Sequence, residues 1–154
     1  APVATAKFAY DDGFLYIGLR CPRVRDVDYS GVHGIRPRDS DLSNRDRVEV
    51  FLDIDRDYAT YYRLAVDHRG YVNESCWGDA TWNPTWFVAA DEDKEVWTAE
   101  AAIPLDQLTG KYPTSRSTWA LGLRRIIPGV GSEGWSTTSV DTVRPEEFGY
   151  LIFQ

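Results

Sequence analysis

The sequence contains 154 residues, a length typical of a single domain, and carries a formal net charge of −7 with a pI near 4.8. So acidic a chain lacks the basic face that binding to a nucleic-acid backbone requires, and no apolar run reaches the length of a membrane span. Nine Tyr and six Trp, with twelve Gly and eight Pro, are typical of an all-β protein with many turns.

The first third of the chain contains one clear strand followed by a long irregular stretch. Residues 14–20, FLYIGLR, alternate apolar side chains with others at the period of two that marks a half-buried strand. Residues 22–46 are polar, include two Pro and two Gly, and show no such period. We interpret this second stretch as a long surface loop, a kind of segment that is usually functional or mobile.

The next two strands are predicted to form an antiparallel pair. Apolar residues alternate with polar and charged ones over residues 47–54 and again over residues 60–67. Because the connection is short, the two strands form a hairpin in which Glu49 and Arg63 share the face turned away from the core. The side chains predicted to lie between two sheets are Val48, Val50, Leu52, Leu64 and Val66.

The remainder of the chain continues this pattern of short strands and turns. One helical turn is predicted at residues 103–108, which have Pro near their start. The predicted fold is an all-β antiparallel β-sandwich, of jelly-roll or immunoglobulin-like type, formed by residues 1–154 as one domain. The further strands are expected at residues 70–75, 85–90, 95–102, 119–127, 134–138 and 149–154.

Three aspartates, Asp53, Asp55 and Asp57, occupy every second position at the end of the 47–54 strand. Their spacing opens like an EF-hand loop, but Tyr58 stands at the glycine position and Leu64 at that of the bidentate glutamate. Two interpretations remain open. The carboxylates hold a structural calcium ion in a site of another type, or they form a solvated strand end with Asp53 and Asp55 on its water side.

The cysteines and histidines give no sign of catalysis. Cys21 and Cys76 do not form a Cys-x-x-Cys pair, so zinc is not expected; we predict two buried free thiols, with a disulfide as the alternative. His33 and His68 are the only histidines, and no nucleophile motif accompanies them. We therefore expect no catalytic residue and no enzyme, although a carboxylate pair for glycoside cleavage depends on distances that a sequence does not show.

Residues 76–86, CWGDATWNPTW, contain three tryptophans, Trp77, Trp82 and Trp86. Flat aromatic rings stack on the apolar C–H surface of sugars, so Trp77 and Trp82 are candidates for a ligand platform. Tryptophans are also ordinary core residues of β-sandwiches, and each of the three can be interpreted in that way.

Several motifs occur in the order that is typical of one family. The chain resembles the family 9 carbohydrate-binding modules and their wider DOMON-like sandwich relatives. The motifs that carry the resemblance are TAKFAYDDGFLYIGLRC, DRVEVFLDIDRD, YYRLAVDHRG, WTAEAAIPLDQL, WALGLRR and PEEFGYLIF. The resemblance implies a β-sandwich that is frequently stabilised by calcium, belongs to secreted enzymes or surface proteins, and binds sugars.

The resemblance also implies roles for individual residues. Glu49 and Arg63 match the Glu and Arg that hydrogen-bond the sugar in family members. Two tryptophans that clamp the sugar in those members are replaced by Ser43 and Thr142, and a contacting Asn is replaced by Ala65. Without the clamp, the inherited site is expected to be weak unless another aromatic residue supplies a platform.

Two functions follow as hypotheses. The first is a non-catalytic carbohydrate-binding module that uses Glu49 and Arg63, with Trp77, Trp82 or the loop residue Tyr29 as platform. The second is a structural or protein-interaction sandwich that binds no sugar. Haem, which DOMON relatives bind through Met and His, is not expected because the chain has no Met. Because the chain opens with neither an initiator Met nor a signal stretch, we expect a domain of a larger protein. The resemblance implies that this protein is secreted or extracellular, with the periplasm as the alternative, and we expect the domain to be a monomer.

Overall fold

The computed structural model of the protein describes residues 3–32, 34, 37–135 and 142–154. Two short 3-10 turns lie at Leu105–Gln107 and Pro145–Glu147. The strands, in chain order, are β1 (Thr5–Tyr10), β2 (Phe14–Pro22), β3 (Arg47–Asp53), β4 (Tyr62–Asp67), β5 (Val72–Cys76), β6 (Phe87–Glu92), β7 (Val96–Pro104), β8 (Thr118–Ile127), β9 (Gly131–Trp135) and β10 (Gly149–Ile152).

These strands form two antiparallel sheets that pack face to face. One is a four-stranded sheet with the order β1-β2-β7-β6. The other is a six-stranded sheet with the order β10-β8-β3-β4-β5, in which β9 also pairs with β8. This arrangement confirms the predicted all-β antiparallel sandwich. The predicted helical turn at residues 103–108 is present as the first 3-10 turn.

The core lies between the inner faces of the two sheets. All five side chains predicted to be buried there, from β3 and β4, belong to one apolar cluster with residues of the opposite sheet. The four-stranded sheet contributes residues of β2 and β7 to this cluster, among them Leu15, Ile17, Trp97 and Ile103. The alternation in the sequence therefore predicts the correct register of the β3–β4 hairpin.

The other face of the six-stranded sheet, which we call the outer face, is also covered at its centre. Glu49, Phe51 and Asp53 alternate with the core residues of β3, as predicted, but all three are buried. The expectation that Asp53 lies on the water side of the strand is therefore wrong, while Asp55 beyond the strand is exposed. Alternation assigns a side chain to a face of the sheet and carries no information about what covers that face.

Two segments cover the outer face. Leu42, from the irregular stretch before β3, packs with Ala65 and Tyr71. Phe148, which follows the second 3-10 turn, packs with Phe51 and Ala120. The outer face is thus enclosed at two places by apolar contacts, and the polar residues between them are only partly open to solvent.

The stretch at residues 22–46 only partly matches its prediction as a surface loop. Its described residues are irregular after Pro22, the last residue of β2, but Tyr29, Leu42 and Asp46 are buried. The surface-loop interpretation is wrong for these three, because isolated anchor residues in a polar stretch produce no period that a sequence pattern could show. His33 lies outside the described residues.

Several smaller expectations can also be compared with the structure. Strand β1 was not among the predicted strands, and it pairs along β2 at the edge of the four-stranded sheet. The predicted strand at residues 134–138 overlaps the end of β9, and residues 136–138 lie outside the described part.

Cys21 is a buried free thiol, as expected, and Cys76 is free and half-buried. Within the described ranges, no helix is long and apolar enough to cross a membrane.

Candidate functional site

The outer face brings polar side chains from four neighbouring strands together around Glu49. In the register of the six-stranded sheet, Glu49 on β3 lies opposite Ala65 on β4 and Arg124 on β8. Arg63 is two positions from Ala65 along β4 and therefore points to the same face, and Asn73 on β5 lies opposite Ala65. Residues that are distant in sequence meet here because β3 is central in the sheet.

The Glu49 carboxylate accepts hydrogen bonds from three arginines. Its Oε1 is 3.2 Å from Arg47 Nε and 3.0 Å from Arg63 Nη2, and its Oε2 is 2.7 Å from Arg124 Nε. Burial raises the pKa of Glu49, but the charges and hydrogen bonds of Arg63 and Arg124 outweigh burial, so the pKa is lowered. Glu49 is therefore ionised at neutral pH in spite of its burial.

Two of the arginines also tie this carboxylate to its surroundings. Arg63 Nη1 donates to Asn73 Oδ1 at 2.6 Å, and Asn73 Nδ2 donates to the carbonyl of Ser40 at 2.8 Å. Arg47 Nη1 donates to the carbonyl of Leu42 at 3.2 Å. The network consequently holds the covering segment before β3 against the sheet.

The surface of this network consists of guanidinium groups. The Glu49 side chain is only 2% exposed, whereas that of Arg63 is 25% exposed. The structure therefore brings the two predicted binding residues together, with Glu49 buried deeper than Arg63. Glu49 orients the arginines from below, and Arg63 is the most exposed of the three, since the side chains of Arg47 and Arg124 are 14% and 13% exposed.

An aromatic group adjoins the polar network along β3. The rings of Phe51, Tyr61 and Phe148 contact one another with centroid distances of 5.8–6.0 Å. The guanidinium carbon of Arg124 lies 5.3 Å from the centroid of Phe51, close enough for a cation–π contact. The outer face thus changes from polar to aromatic between Glu49 and the β3–β4 turn.

Trp77 lies at the tip of a tight hairpin beside this aromatic group. Cys76 and Asp79 exchange backbone hydrogen bonds, and the two residues between them have positive φ, 50° at Trp77 and 77° at Gly78. This is the geometry of a type I′ turn, whose first position favours Asn, Asp or Gly over a bulky residue. Trp77 is 66% exposed, and its backbone N–H donates to the Tyr61 carbonyl at 2.8 Å.

The other two tryptophans of this segment have structural positions. Trp82 is half-buried and packs on Tyr62 at a centroid distance of 4.6 Å. Tyr62 belongs to the core side of β4, so Trp82 is not brought together with Arg63 on the outer face. Trp86 is buried, and its Nε1 donates to Glu74 Oε2 at 3.1 Å.

Three members of the polar network were not recognised in the sequence. Arg47 and Arg124 belong to strands that were predicted, and their parity places both on the same face as Glu49. Alternation within β8 could have indicated Arg124 once β8 was known to lie beside β3. The resemblance implies an Asn at position 65, which is Ala in this chain. Asn73 lies opposite Ala65 on the neighbouring strand β5, and no local pattern in the sequence indicates its role.

The three predicted metal ligands lie together at the turn between β3 and β4. One carboxylate oxygen from each of Asp53, Asp55 and Asp57 lies within 4.8 Å of the others. Asp53 accepts the N–H groups of Asp57 and Tyr58, at 3.2 and 2.9 Å. Asp57 in turn accepts the N–H groups of the two residues that follow Tyr58, so the turn is ordered by its own carboxylates.

The electrostatics of this turn fit an oxygen-binding cation. Burial raises the pKa of Asp53, whereas a hydrogen bond from the Thr60 hydroxyl lowers the pKa of Asp57. Asp53 is thus a buried carboxylate close to two exposed ones, an arrangement whose mutual repulsion a divalent cation would relieve. Carboxylate oxygens are the ligands that calcium prefers.

The sequence matches no family model and no curated protein. Its structure is similar to that of a family 9 carbohydrate-binding module from Caldicellulosiruptor kristjanssonii in complex with glucose, with a TM-score of 0.70 and 16% identity over 98% of this chain and 76% of that chain. A family 9 module from the same organism in complex with cellotriose gives a TM-score of 0.65 at 16% identity, over 98% and 74% of the two chains.

A candidate carbohydrate-binding protein from Bacteroides uniformis is similar as well, with a TM-score of 0.67 and 13% identity over 98% of this chain and 78% of that chain. At such low identity, a likeness of structure over nearly the whole chain establishes the architecture. The chain therefore has the fold of the family 9 carbohydrate-binding modules.

Proposed function

We propose that this chain is a non-catalytic carbohydrate-binding module whose site is the outer face of the six-stranded sheet. Arg63 supplies hydrogen-bond donors, Glu49 holds it in place, and Trp77 supplies the aromatic platform. The proposal is supported by the fold, since two solved structures with this architecture are family 9 modules in complex with glucose and cellotriose. The parent protein would be secreted or extracellular, and the module would be a monomer joined to other domains.

The observation that carries the proposal is an exposed, strained tryptophan just after β5, two residues beyond Ser75, which pairs with Arg63. A bulky residue in the left-handed region costs roughly 1–2 kcal/mol, and Trp77 also exposes most of its ring to water. Such local strain is typical of residues kept for binding. Stacking on Trp77 together with a few hydrogen bonds could supply about −4 to −7 kcal/mol, which corresponds to dissociation constants from millimolar to about ten micromolar.

Calorimetric titration with a panel of oligosaccharides tests the proposal. We expect Arg63→Ala to weaken binding by about 1–3 kcal/mol because charge-assisted donors are lost. Trp77→Asn should weaken binding to a similar degree while stability stays equal or rises, since Asn tolerates the left-handed conformation. Arg20→Ala, an exposed arginine of the four-stranded sheet, is the control and should have no effect.

The replaced clamp positions favour the second candidate function, a structural or protein-interaction sandwich. Ser43 and Thr142 are both exposed and offer no ring for stacking. If no oligosaccharide in the panel binds the wild-type protein, or if Trp77→Asn leaves binding unchanged, the proposed site is wrong. A complete absence of binding would support the second candidate function.

A further inference from the structure

Positively charged groups outnumber negatively charged ones around Glu49. Within the described part of the chain, Arg47 and Arg63 each have Glu49 as their only carboxylate within 4.0 Å, and Glu49 is also shared with Arg124. Asp41 of the stretch before β3 also interacts electrostatically with Arg47, but Glu49 is the carboxylate in direct contact with all three guanidinium groups. In a chain with a net charge of −7, this concentration of positive charge at one place on the outer face is a local reversal.

The arginines retain donors that no described residue accepts. Arg63 uses its two terminal nitrogens on Asn73 and Glu49, and its Nε has no partner among the described residues. Arg47 uses Nε and Nη1, and its Nη2 likewise makes no hydrogen bond within the described ranges. A guanidinium group has five N–H donors and no acceptor, so both side chains can still donate to a ligand.

The acceptors of the same site are already occupied. The oxygens of Glu49 are buried and accept hydrogen bonds from the arginines, and Asn73 Oδ1 accepts from Arg63. A sugar hydroxyl both donates and accepts, whereas a carboxylate or sulfate group only accepts. A site that offers donors and little else is chemically complementary to the second kind of group, and the planar fork of arginine matches its geometry.

We propose that this site, given the carbohydrate-binding function proposed above, selects sugars that carry an anionic group, such as the carboxylate of a uronic acid or a sulfate ester. Arg63 and Arg47 bind the anionic group, and Glu49 acts as a positioning residue that holds the two guanidinium groups at the surface. Neutral parts of the sugar stack on Trp77. The preference is electrostatic, so it weakens as salt concentration rises.

The experiment compares ligands that differ only in charge. Tri-galacturonic acid, its methyl ester and galactotriose are titrated into the wild-type protein at 50 and 500 mM salt, with a sulfated disaccharide and its desulfated form as a second pair. We expect an anionic member of at least one pair to bind about tenfold or more tightly than its neutral counterpart, with the difference reduced at high salt. The pair that shows the preference identifies the anionic group.

Variants assign the preference to the arginines. Arg63→Gln and Arg47→Gln should reduce binding of the anionic ligand to that of its neutral counterpart, while Arg20→Gln should not. Arg63→Lys, which keeps the charge, should retain part of the preference, and circular dichroism verifies that each variant is folded. Equal binding of charged and neutral ligands, or binding of neutral sugars alone, overturns this inference and leaves the carbohydrate-binding function standing. Failure of every sugar, including neutral cello-oligosaccharides, overturns both.

Discussion

Glu49 combines burial with ionisation, and the arginines around it explain how. A carboxylate transferred from water to a protein interior loses its hydration, which is tolerated only when charged donors replace the water. Three guanidinium groups do so here, at 2.7–3.2 Å from the two carboxylate oxygens. The same residue therefore contributes to stability and to the arrangement of the binding surface.

The first prediction separates these two contributions. Glu49→Gln leaves three guanidinium groups close together without a counter-charge, so we expect a loss of roughly 3 kcal/mol in the free energy of unfolding. Arg63→Ala should cost less than half of this value, because Glu49 keeps Arg47 and Arg124. Urea denaturation of both variants measures the difference. Equal losses would mean that Arg63 is as important for folding as the carboxylate.

His68 is a second buried ionisable residue, and it lacks the partners that Glu49 has. Its ring nitrogens make no hydrogen bond with any described residue, and its ring meets Tyr29 edge-on at 5.1 Å. Its nearest carboxylate oxygen, from Glu92, lies 3.9 Å from Nδ1. Burial lowers the pKa of His68, so the folded protein holds this side chain neutral at pH 7.

The second prediction concerns pH. The unfolded chain protonates His68 near pH 6.5, before the folded protein does, so stability falls as the pH decreases below about 6.5. The slope from this one proton can reach about 1.4 kcal/mol per pH unit. His68→Phe keeps the contact with Tyr29 and should show a shallower decrease between pH 7 and pH 5 in urea denaturation. Identical slopes would exclude His68 as the cause.

At the residue scale, alternation is the part of the sequence that predicts most. It places Glu49 and Arg63 on one face because parity along two paired strands decides this without further information. It does not predict that Arg124 joins them, since which strand lies beside β3 depends on contacts between distant parts of the chain. The prediction that Asp53 faces water fails for a related reason. A period of two does not show whether another segment covers that face of the sheet.

The turn between β3 and β4 is the element for which the sequence left two interpretations. In the structure, Asp53 and Asp57 accept backbone N–H groups within this turn, which resembles neither a simple solvated end nor an EF-hand. We propose that calcium binds here, with Asp53, Asp55 and Asp57 as ligands. Such a site would need additional oxygens from carbonyls or water to reach six to eight ligands.

The third prediction tests this turn. Calcium that binds only the folded protein should raise the melting temperature in a concentration-dependent way, and EDTA should reverse the shift. Asp55→Asn is the informative variant, because Asp55 is exposed and accepts none of the backbone hydrogen bonds that order the turn. It should abolish the calcium shift without lowering the melting temperature in EDTA. Melting curves with calcium and with EDTA that superimpose would exclude the site.

Strands with a strong period were predicted well at the scale of elements, and edge elements were not. Strand β1 escaped prediction because it lies at the edge of its sheet and four of its six residues are exposed. The second 3-10 turn, Pro145–Glu147, is too short to carry any period. It nevertheless delivers Phe148 onto Phe51, so a segment without a sequence signal closes one side of the outer face.

At the scale of the whole molecule, another buried carboxylate, Asp46, links the two sheets and the irregular stretch at residues 22–46. Its oxygens are 2.9 and 2.7 Å from Nε and Nη2 of Arg125 on β8, in the six-stranded sheet. Trp97 on β7, in the four-stranded sheet, donates to it at 2.9 Å, and Tyr29 of the irregular stretch, which packs in the core, donates at 2.8 Å. Arg125 also donates to the carbonyl of Pro22 on β2 at 2.6 Å.

The last prediction follows from this central position. Asp46→Asn removes the charge that Arg125 needs and turns an amide donor toward other donors, so we expect a loss of about 3–5 kcal/mol in the free energy of unfolding. Asp28→Asn, an exposed carboxylate of the same irregular segment, is the control and should cost less than about 1 kcal/mol. Replacing both partners by apolar residues, Asp46→Leu with Arg125→Met, should recover only part of the loss, since no buried guanidinium is then left without its counter-charge but Trp97 and Tyr29 still lose their acceptor. A single variant as stable as the wild-type protein would show that Asp46 does not hold the sheets together.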